Sequence, residues 1–344
     1  MVILRAHSDR NPLRDWTMVS RRAWLGMAAA SGAAFGMNPR ILEALQELQI
    51  QPLLQRAIPK TGELLPVIGL GSANTFSEMA RAEARTEQYD MIGAVLQALV
   101  DGGGTVFDTA YSYGASEQVS GQVAQDLGIA GRLWWATKVN AADVSGGSTG
   151  LADLARTRYQ IQRSFLRLRS EQIDLFQVHN MGDPPNQLAI LKELKAQGYI
   201  RYIGITTTFE GQYSALVEVM RNEPIDFIGI DYAVDNRTPE EVILPLALER
   251  EIGVLVYMPF GRDRMWARIG DRPLPEWAAE FDAHTWAQLM LKFVIAHPAV
   301  TVVCPGTSNP EHMAENLSAG RGRIPNPDQL DRVIQLVERG DSRT

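Results

Sequence analysis

Residues 107–117 read FDTAYSYGASE, residues 133–139 LWWATKV and residues 173–180 IDLFQVHN. Each carries a short run of β-branched and aromatic residues that gives way to polar ones, the pattern of a strand leaving a core. Asp108 and Tyr113 follow the first run, Lys138 the second and His179 the third. In a parallel α/β barrel the exit ends of successive strands converge on one face, so residues about 30 to 40 apart share one pocket. The set is an acid, a phenol, an amine and an imidazole. A Lys beside a Tyr is expected to lower the phenol pKa from about 10, because the ammonium favours phenolate, and a carboxylate keeps that Lys charged and oriented. Alone, a strand-end Asp reads as a turn cap and a His as a satisfied structural group. Together they read as a tunable proton donor.

Working outward, strand signals recur at 66–71, 105–109, 133–139, 173–179, 200–206, 226–232, 253–258 and 300–304. Helical periodicity fills the intervals, as in MIGAVLQALVDGG (91–103), QLAILKELKAQG (187–198) and AQLMLKFVIAHP (287–298). Strand and helix alternating eight times predicts an α/β fold, a (β/α)8 TIM barrel. Ahead of it, QRAIPKTGELLPVIGLGSA (55–73) places two extended runs around a Lys60-Thr61-Gly62 turn, an N-terminal β-hairpin. After it, PDQLDRVIQLVERG (327–340) predicts a C-terminal extra helix. The barrel domain is expected to span 55–344, with a linker helix over 41–54 built on ILEALQELQ. Two long connections, 140–152 and 260–283, are expected to shape substrate access. Trp134 and Trp135 are adjacent in a strand and face opposite ways, with one of them expected in the core.

At 344 residues, 45% hydrophobic and 21% charged, the chain is long enough for one such barrel. Residues 1–40 hold six Arg against two Asp, a local +4, which leaves −11 of the net −7 on the remainder. An acidic body has no basic footprint for nucleic acid or anionic lipid. The single Cys304 excludes an internal disulfide and a cysteine metal cluster, and the five His show no paired ligand spacing, so no metal is expected.

Residues 20–37, SRRAWLGMAAASGAAFGM, place Arg21 and Arg22 before an Ala/Gly stretch too short for a bilayer span, which needs about 20 residues. The stretch resembles a twin-arginine export signal, with Ser20, Arg21, Arg22 and Leu25 on matching positions and Trp24 where Phe is usual. It implies the twin-arginine export machinery as a partner, a leader over 1–40 and a periplasmic or exported protein, cytoplasmic if the leader is unused. Stable membrane insertion is not expected. Met18 offers a more compact start for such a signal.

From about residue 55 to 340 the chain resembles the aldo-keto reductase family. The specific element is D-T-A-x-x-Y-G-x-S-E, present as Asp108 to Glu117. The resemblance implies an NAD(P)H-dependent reductase acting on a small-molecule aldehyde or ketone. Tyr113 would be the general acid, Lys138 its pKa depressor, Asp108 the anchor of Lys138 and His179 the orienter of the carbonyl. It implies cofactor contacts from Ser72 at the first strand's exit and from Thr206 and Thr207, where the family has Ser and Asn. Gly229 stands where it has Gln, with Asp231 nearby. Tyr257 matches the aromatic that stacks on the nicotinamide, and Pro259, Phe260, Gly261 and Arg262 match the pyrophosphate cover. In CPGTSNPEHMAEN (304–316), Thr307, Glu315 and Asn316 fit the 2′-phosphate pattern, whereas Gly306 and His312 replace the usual cations. NADPH is therefore expected from the family, with NADH as the alternative. Arg262, Trp266 and Trp277 suit a bulky ring ketone. A competing reading is a redox-sensing or partner-binding subunit that keeps the nucleotide without turnover. No GxxxxGK[ST], Y-x-x-x-K or complete GxGxxG occurs. A closed barrel defaults to a monomer.

Overall fold

Gln55–Ala57 (β1) pairs antiparallel with Leu64–Pro66 (β2), and the Lys60-Thr61-Gly62 turn closes the hairpin with Gly62 at φ +74°. The computed structural model describes residues 51–73, 75–76, 87–142 and 150–341. The leader over 1–40 and residues 41–50 of the expected linker helix lie outside the described residues, and residues 51–54 are not helical. Arg56 on β1 donates to the carbonyls of Ile295 and His297, each at 2.9 Å, which ties the hairpin to the barrel.

Eight parallel strands follow: β3 (Leu70–Gly71), β4 (Val106–Asp108), β5 (Trp134–Val139), β6 (Ile173–Val178), β7 (Ile200–Thr207), β8 (Phe227–Asp231), β9 (Gly253–Tyr257) and β10 (Val302–Val303). They pair in chain order. The circle closes through parallel bridges Ile68 to Val303 and Gly71 to Gly306, with the Gly69 amide donating to the Val303 carbonyl at 2.8 Å. The helices are α1 (Glu87–Asp101), α2 (Ser116–Asp126), α3 (Leu154–Leu168), α4 (Pro184–Ala196), α5 (Tyr213–Asn222), α6 (Ile243–Glu249), α7 (Arg264–Ile269), α8 (Trp286–Ala296), α9 (Pro310–Ala319) and α10 (Pro327–Asp341). The result is the expected (β/α)8 barrel, with the hairpin before it and α10 after its last strand. Among the described residues, no helix is long and apolar enough to cross a membrane.

The strand period of two sorts side chains between two cores. Ile58 and Leu65 of the hairpin plug the barrel interior with Val106, Trp134, Tyr202, Phe227 and Cys304. Trp134 and Tyr202 each lie against Phe227, at 5.8 and 5.7 Å between ring centroids. Trp135 faces the other way, into the layer under the helices, edge-on to Phe107 at 5.6 Å. Both tryptophans are therefore core, one in each layer. Two pleats beyond Trp134 along β5, the same inward alternation delivers Lys138 above the apolar plug. Helices α2 and α3 approach closely because residue 121 is glycine, since a Cβ there would fall 2.4 Å from the Arg167 carbonyl.

Candidate active site

Asp108 ends β4, Lys138 lies one residue from the end of β5, and His179 follows β6 directly. Tyr113 sits on the loop from β4 to α2. That loop is built by its own backbone: the Tyr113 amide donates to the Ala110 carbonyl and the Ser116 amide to the Tyr113 carbonyl, each at 3.0 Å, while Tyr111 donates to the Lys138 carbonyl at 3.1 Å. Behind it, buried Glu117 accepts from the Thr137 hydroxyl at 2.7 Å and from Arg167 at 3.3 Å. The Arg167 guanidinium also lies over the Tyr111 ring at 4.5 Å. The last residue of the D-T-A-x-x-Y-G-x-S-E stretch thus braces the loop that carries its tyrosine.

The four residues meet. Lys138 donates to Asp108 Oδ2 at 2.5 Å and to the Thr109 carbonyl at 2.7 Å, and its Nζ lies 5.1 Å from the Tyr113 ring centroid. The Tyr113 and His179 rings meet edge-on at 5.6 Å. Burial works against the Lys138 ammonium, but Asp108 and Tyr113 more than offset it, so Lys138 ends above its ordinary value and stays charged. Burial lifts Asp108, and Lys138 and the Tyr257 hydroxyl pull it back in part. Burial, with Lys138 adding to it, drives His179 down to about 3, so its imidazole is neutral. Its Nδ1 lies 3.3 Å from the Ser112 hydroxyl. Assigning that hydroxyl as the donor puts the ring proton on Nε2.

One sequence expectation is corrected here. Lys138 does pull the Tyr113 phenol down, but burial pushes it up harder and Asp108 adds to that push, so the net direction is upward. The phenol holds its proton at neutral pH, as a donor must.

The expected cofactor residues divide. Ser72 is fully buried, donates to the Asp108 carbonyl at 2.9 Å and accepts from Ser116 at 3.0 Å, so it supports Asp108 rather than facing a ligand. The Thr207 hydroxyl is likewise committed, donating to Gln212 Oε1 at 2.6 Å and accepting from the Phe209 amide at 3.1 Å. Thr206 accepts from the Asn180 amide at 3.2 Å, at the mouth beside His179. Asp231 accepts from the Tyr213 hydroxyl and from Asn236, both at 2.9 Å. Gly229 offers no side chain, and Tyr257 occupies the space beside it.

After β9 the chain turns sharply through Met258, Gly261, Arg262 and Asp263, all at positive φ. Pro259 is buried, Phe260 rests on Trp266 at 5.3 Å, and exposed Arg262 reaches across to the Thr208 carbonyl and hydroxyl at 3.2 Å each. After β10, Thr307 accepts from the Asn309 amide at 3.1 Å, and Asn309 caps α9 by accepting from the Glu311 amide at 2.8 Å. Along that segment Asn316 is buried, Glu315 half-buried, and Gly306 and His312 exposed. Trp277 belongs elsewhere. Its ring packs on Phe281 at 6.1 Å and under Arg332 of α10 at 4.3 Å, so it gives no support to a substrate wall. Residues 143–149 of the other long connection lie outside the described residues.

Sequence reading missed Gln177 and Asn140. Gln177 donates to the Tyr257 hydroxyl at 3.1 Å, and its place two residues before His179 on β6 was the available signal. Asn140 donates to the His179 carbonyl at 2.9 Å and steadies a turn in which Asn180 and Met181 take positive φ.

The Aldo/keto reductase family pattern matches residues 67–336, which brackets this whole site. The chain belongs to the aldo/keto reductase family. It is similar to Aldo-keto reductase YhdN of Bacillus subtilis, 31% identical over 207 residues, a match covering 58% of this chain and 60% of that protein, which is under two thirds of its length. It is also similar to Aldo-keto reductase str7 of Strobilurus tenacellus, 25% identical over 281 residues, covering 72% and 81%. Among solved structures, an aldo-keto reductase from Klebsiella pneumoniae in complex with NADPH shares the fold at a TM-score of 0.61 and 23% identity, over 83% of this chain and 95% of that one. The glycerol dehydrogenase AKR11B4 from Gluconobacter oxydans does so at 0.65 and 21%, over 82% and 94%. Within this aldo/keto reductase, then, Asp108, Tyr113, Lys138 and His179 form one cluster at the exit face of the barrel, where the fold places its chemistry.

Proposed function

We propose that the protein is an NADPH-dependent reductase that converts an aldehyde or a ketone to an alcohol, with Tyr113 as the proton donor. The observation that carries this is the Lys138 ammonium held by Asp108 at 2.5 Å and lying 5.1 Å from the Tyr113 ring, with a neutral His179 edge-on to that ring. The residues around it suit a nicotinamide dinucleotide. Tyr257 is half-buried with its hydroxyl tied down, leaving ring surface at the mouth. The Thr206 hydroxyl, which accepts from the Asn180 amide, keeps its own proton as a polar contact beside it. Arg262, reaching to Thr208, offers a cation for pyrophosphate. The start of α9, next to Thr307, turns the positive end of the helix dipole toward an anion, with its Glu311 amide already held by the Asn309 side chain. The nucleotide would supply hydride to the carbonyl carbon. Tyr113 delivers its proton to the carbonyl oxygen as negative charge develops there, and Lys138 stabilises the phenolate left behind. Asp108 keeps Lys138 charged and in place, and His179 donates a hydrogen bond to the same oxygen without competing for the proton.

NADPH is favoured over NADH by the Klebsiella relative's complex. Trp266, 40% exposed on Phe260, supplies an apolar wall that suits a ring ketone. An assay of the full chain with NADPH and NADH in parallel, against aldehydes and ring ketones, is expected to show nucleotide oxidation with NADPH preferred. Tight nucleotide binding without turnover on any carbonyl would turn the reading to the sensor subunit.

The Arg21-Arg22 stretch supports export through the twin-arginine machinery to the periplasm. Replacing both by lysine is expected to keep the protein in the cytoplasmic fraction. Unchanged fractionation would remove the export reading.

A further inference from the structure

The hydroxyl of Tyr257 has a place in the site that nucleotide stacking does not explain. From the end of β9 it donates to Asp108 Oδ1 at 3.0 Å, while Lys138 takes Oδ2 at 2.5 Å. Gln177 Nε2 donates to the same hydroxyl oxygen at 3.1 Å, which leaves its proton directed at the carboxylate. The Lys138 ammonium lies 4.9 Å from the Tyr257 centroid and 5.1 Å from that of Tyr113, between two phenol rings. Room for the second ring comes from residue 229. A Cβ at Gly229 would fall 2.4 Å from Tyr257 Cε2 and 2.8 Å from its hydroxyl oxygen, so any other residue there would push the ring off Asp108.

We propose that Tyr257 is a positioning residue for proton transfer: its hydroxyl pins the second oxygen of Asp108, so that the first stays on Lys138 and Lys138 stays on Tyr113. Asp108 is 2% exposed, and a buried carboxylate with one free oxygen would draw water or turn toward another donor. Two donors on two oxygens leave it one orientation. Gly229 permits this arrangement, and Gln177 fixes the direction of the Tyr257 hydroxyl proton. The proposal rests on the reductase reading for its kinetic consequence but not for its structural one.

The test is Tyr257→Phe, which keeps the ring and removes the hydroxyl. In the nucleotide-free protein the Asp108 carboxyl, followed by carbon NMR and identified by its loss in Asp108→Asn, is expected to titrate at higher pH in the variant, because a hydrogen bond to its charged form is gone. Turnover is expected to fall about tenfold or more, with the NADPH dissociation constant within about twofold, since the stacking surface is intact. Gly229→Ala, which displaces the ring and leaves the hydroxyl, is expected to move the Asp108 titration in the same direction. An Asp108 titration unmoved in both variants overturns the proposal, as does a Tyr257→Phe protein whose only change is weaker NADPH binding. Tyr113→Phe on the same substrate separates the two readings. If it keeps full turnover, the reductase reading fails, and the Asp108 titration still decides the role of Tyr257.

Discussion

Tyr113→Phe is expected to lower carbonyl reduction by roughly 10²- to 10⁴-fold, the range for removal of a positioned general acid. Nucleotide affinity and thermal midpoint should hold. The hydroxyl can be removed without stranding the amine, because Lys138 keeps its bonds to Asp108 and to the Thr109 carbonyl. The pH dependence carries its own sign. A phenol donates only while it holds its proton, fully below its pKa and progressively less above, and burial holds Tyr113 above its ordinary value of 10.0. Reduction by the unaltered protein should therefore be level through neutral pH and decline only in the alkaline range. His179, with its pKa near 3, adds no limb near neutrality. Steady-state rates of the unaltered protein from about pH 5 to beyond pH 10 check this, and the limb should be absent from Tyr113→Phe. A Tyr113→Phe protein that works near the starting level would refute the role of the phenol.

Lys138→Met is expected to damage stability and turnover together. Lys138 is 1% exposed and Asp108 2%, and removing one member of a buried pair leaves the other charge uncompensated, a cost of about 3–5 kcal/mol. Turnover should fall at least as far as in Tyr113→Phe, because phenolate loses its stabiliser and Asp108 loses its main partner. Adding Asp108→Asn to Lys138→Met should restore much of the stability and none of the rate, since the buried charge is gone but the proton donor stays unassisted. Urea unfolding of the two single variants and the double variant forms the cycle that measures this. Simple additivity of the losses would show that Asp108 and Lys138 do not act as a pair.

Much of this was legible in the sequence because it is local. A strand announces itself in consecutive side chains: its apolar run already placed Asp108, Lys138 and His179 at the exit ends of successive strands, and its period of two sorts neighbouring side chains to opposite faces. The same rule separated Trp134 from Trp135 but said nothing of what each would meet, and both proved to be core. Where the fold commits an expected contact residue to another partner, that partner is near in the chain for Thr207 and far along it for Ser72 and Trp277. Ser72 looked available until Asp108 and Ser116 were found to hold it. Thr207 was matched to a ligand contact and instead closes a turn with Gln212. Trp277 was set at the substrate mouth and packs under Arg332.

The Tyr113 phenol shows the division most clearly. A neighbouring lysine predicts a lowered pKa, and that attraction is present, but burial is a property of the folded surroundings and it wins. For Tyr257 the sequence determined an aromatic at the end of a strand. Only the barrel's closure set its hydroxyl against Asp108, 149 positions away, with Gln177 as donor and the missing Cβ of Gly229 as the clearance. Strand, helix and turn follow from bonding and packing between near neighbours. The state of a proton depends on the distances and dielectric that the whole fold imposes.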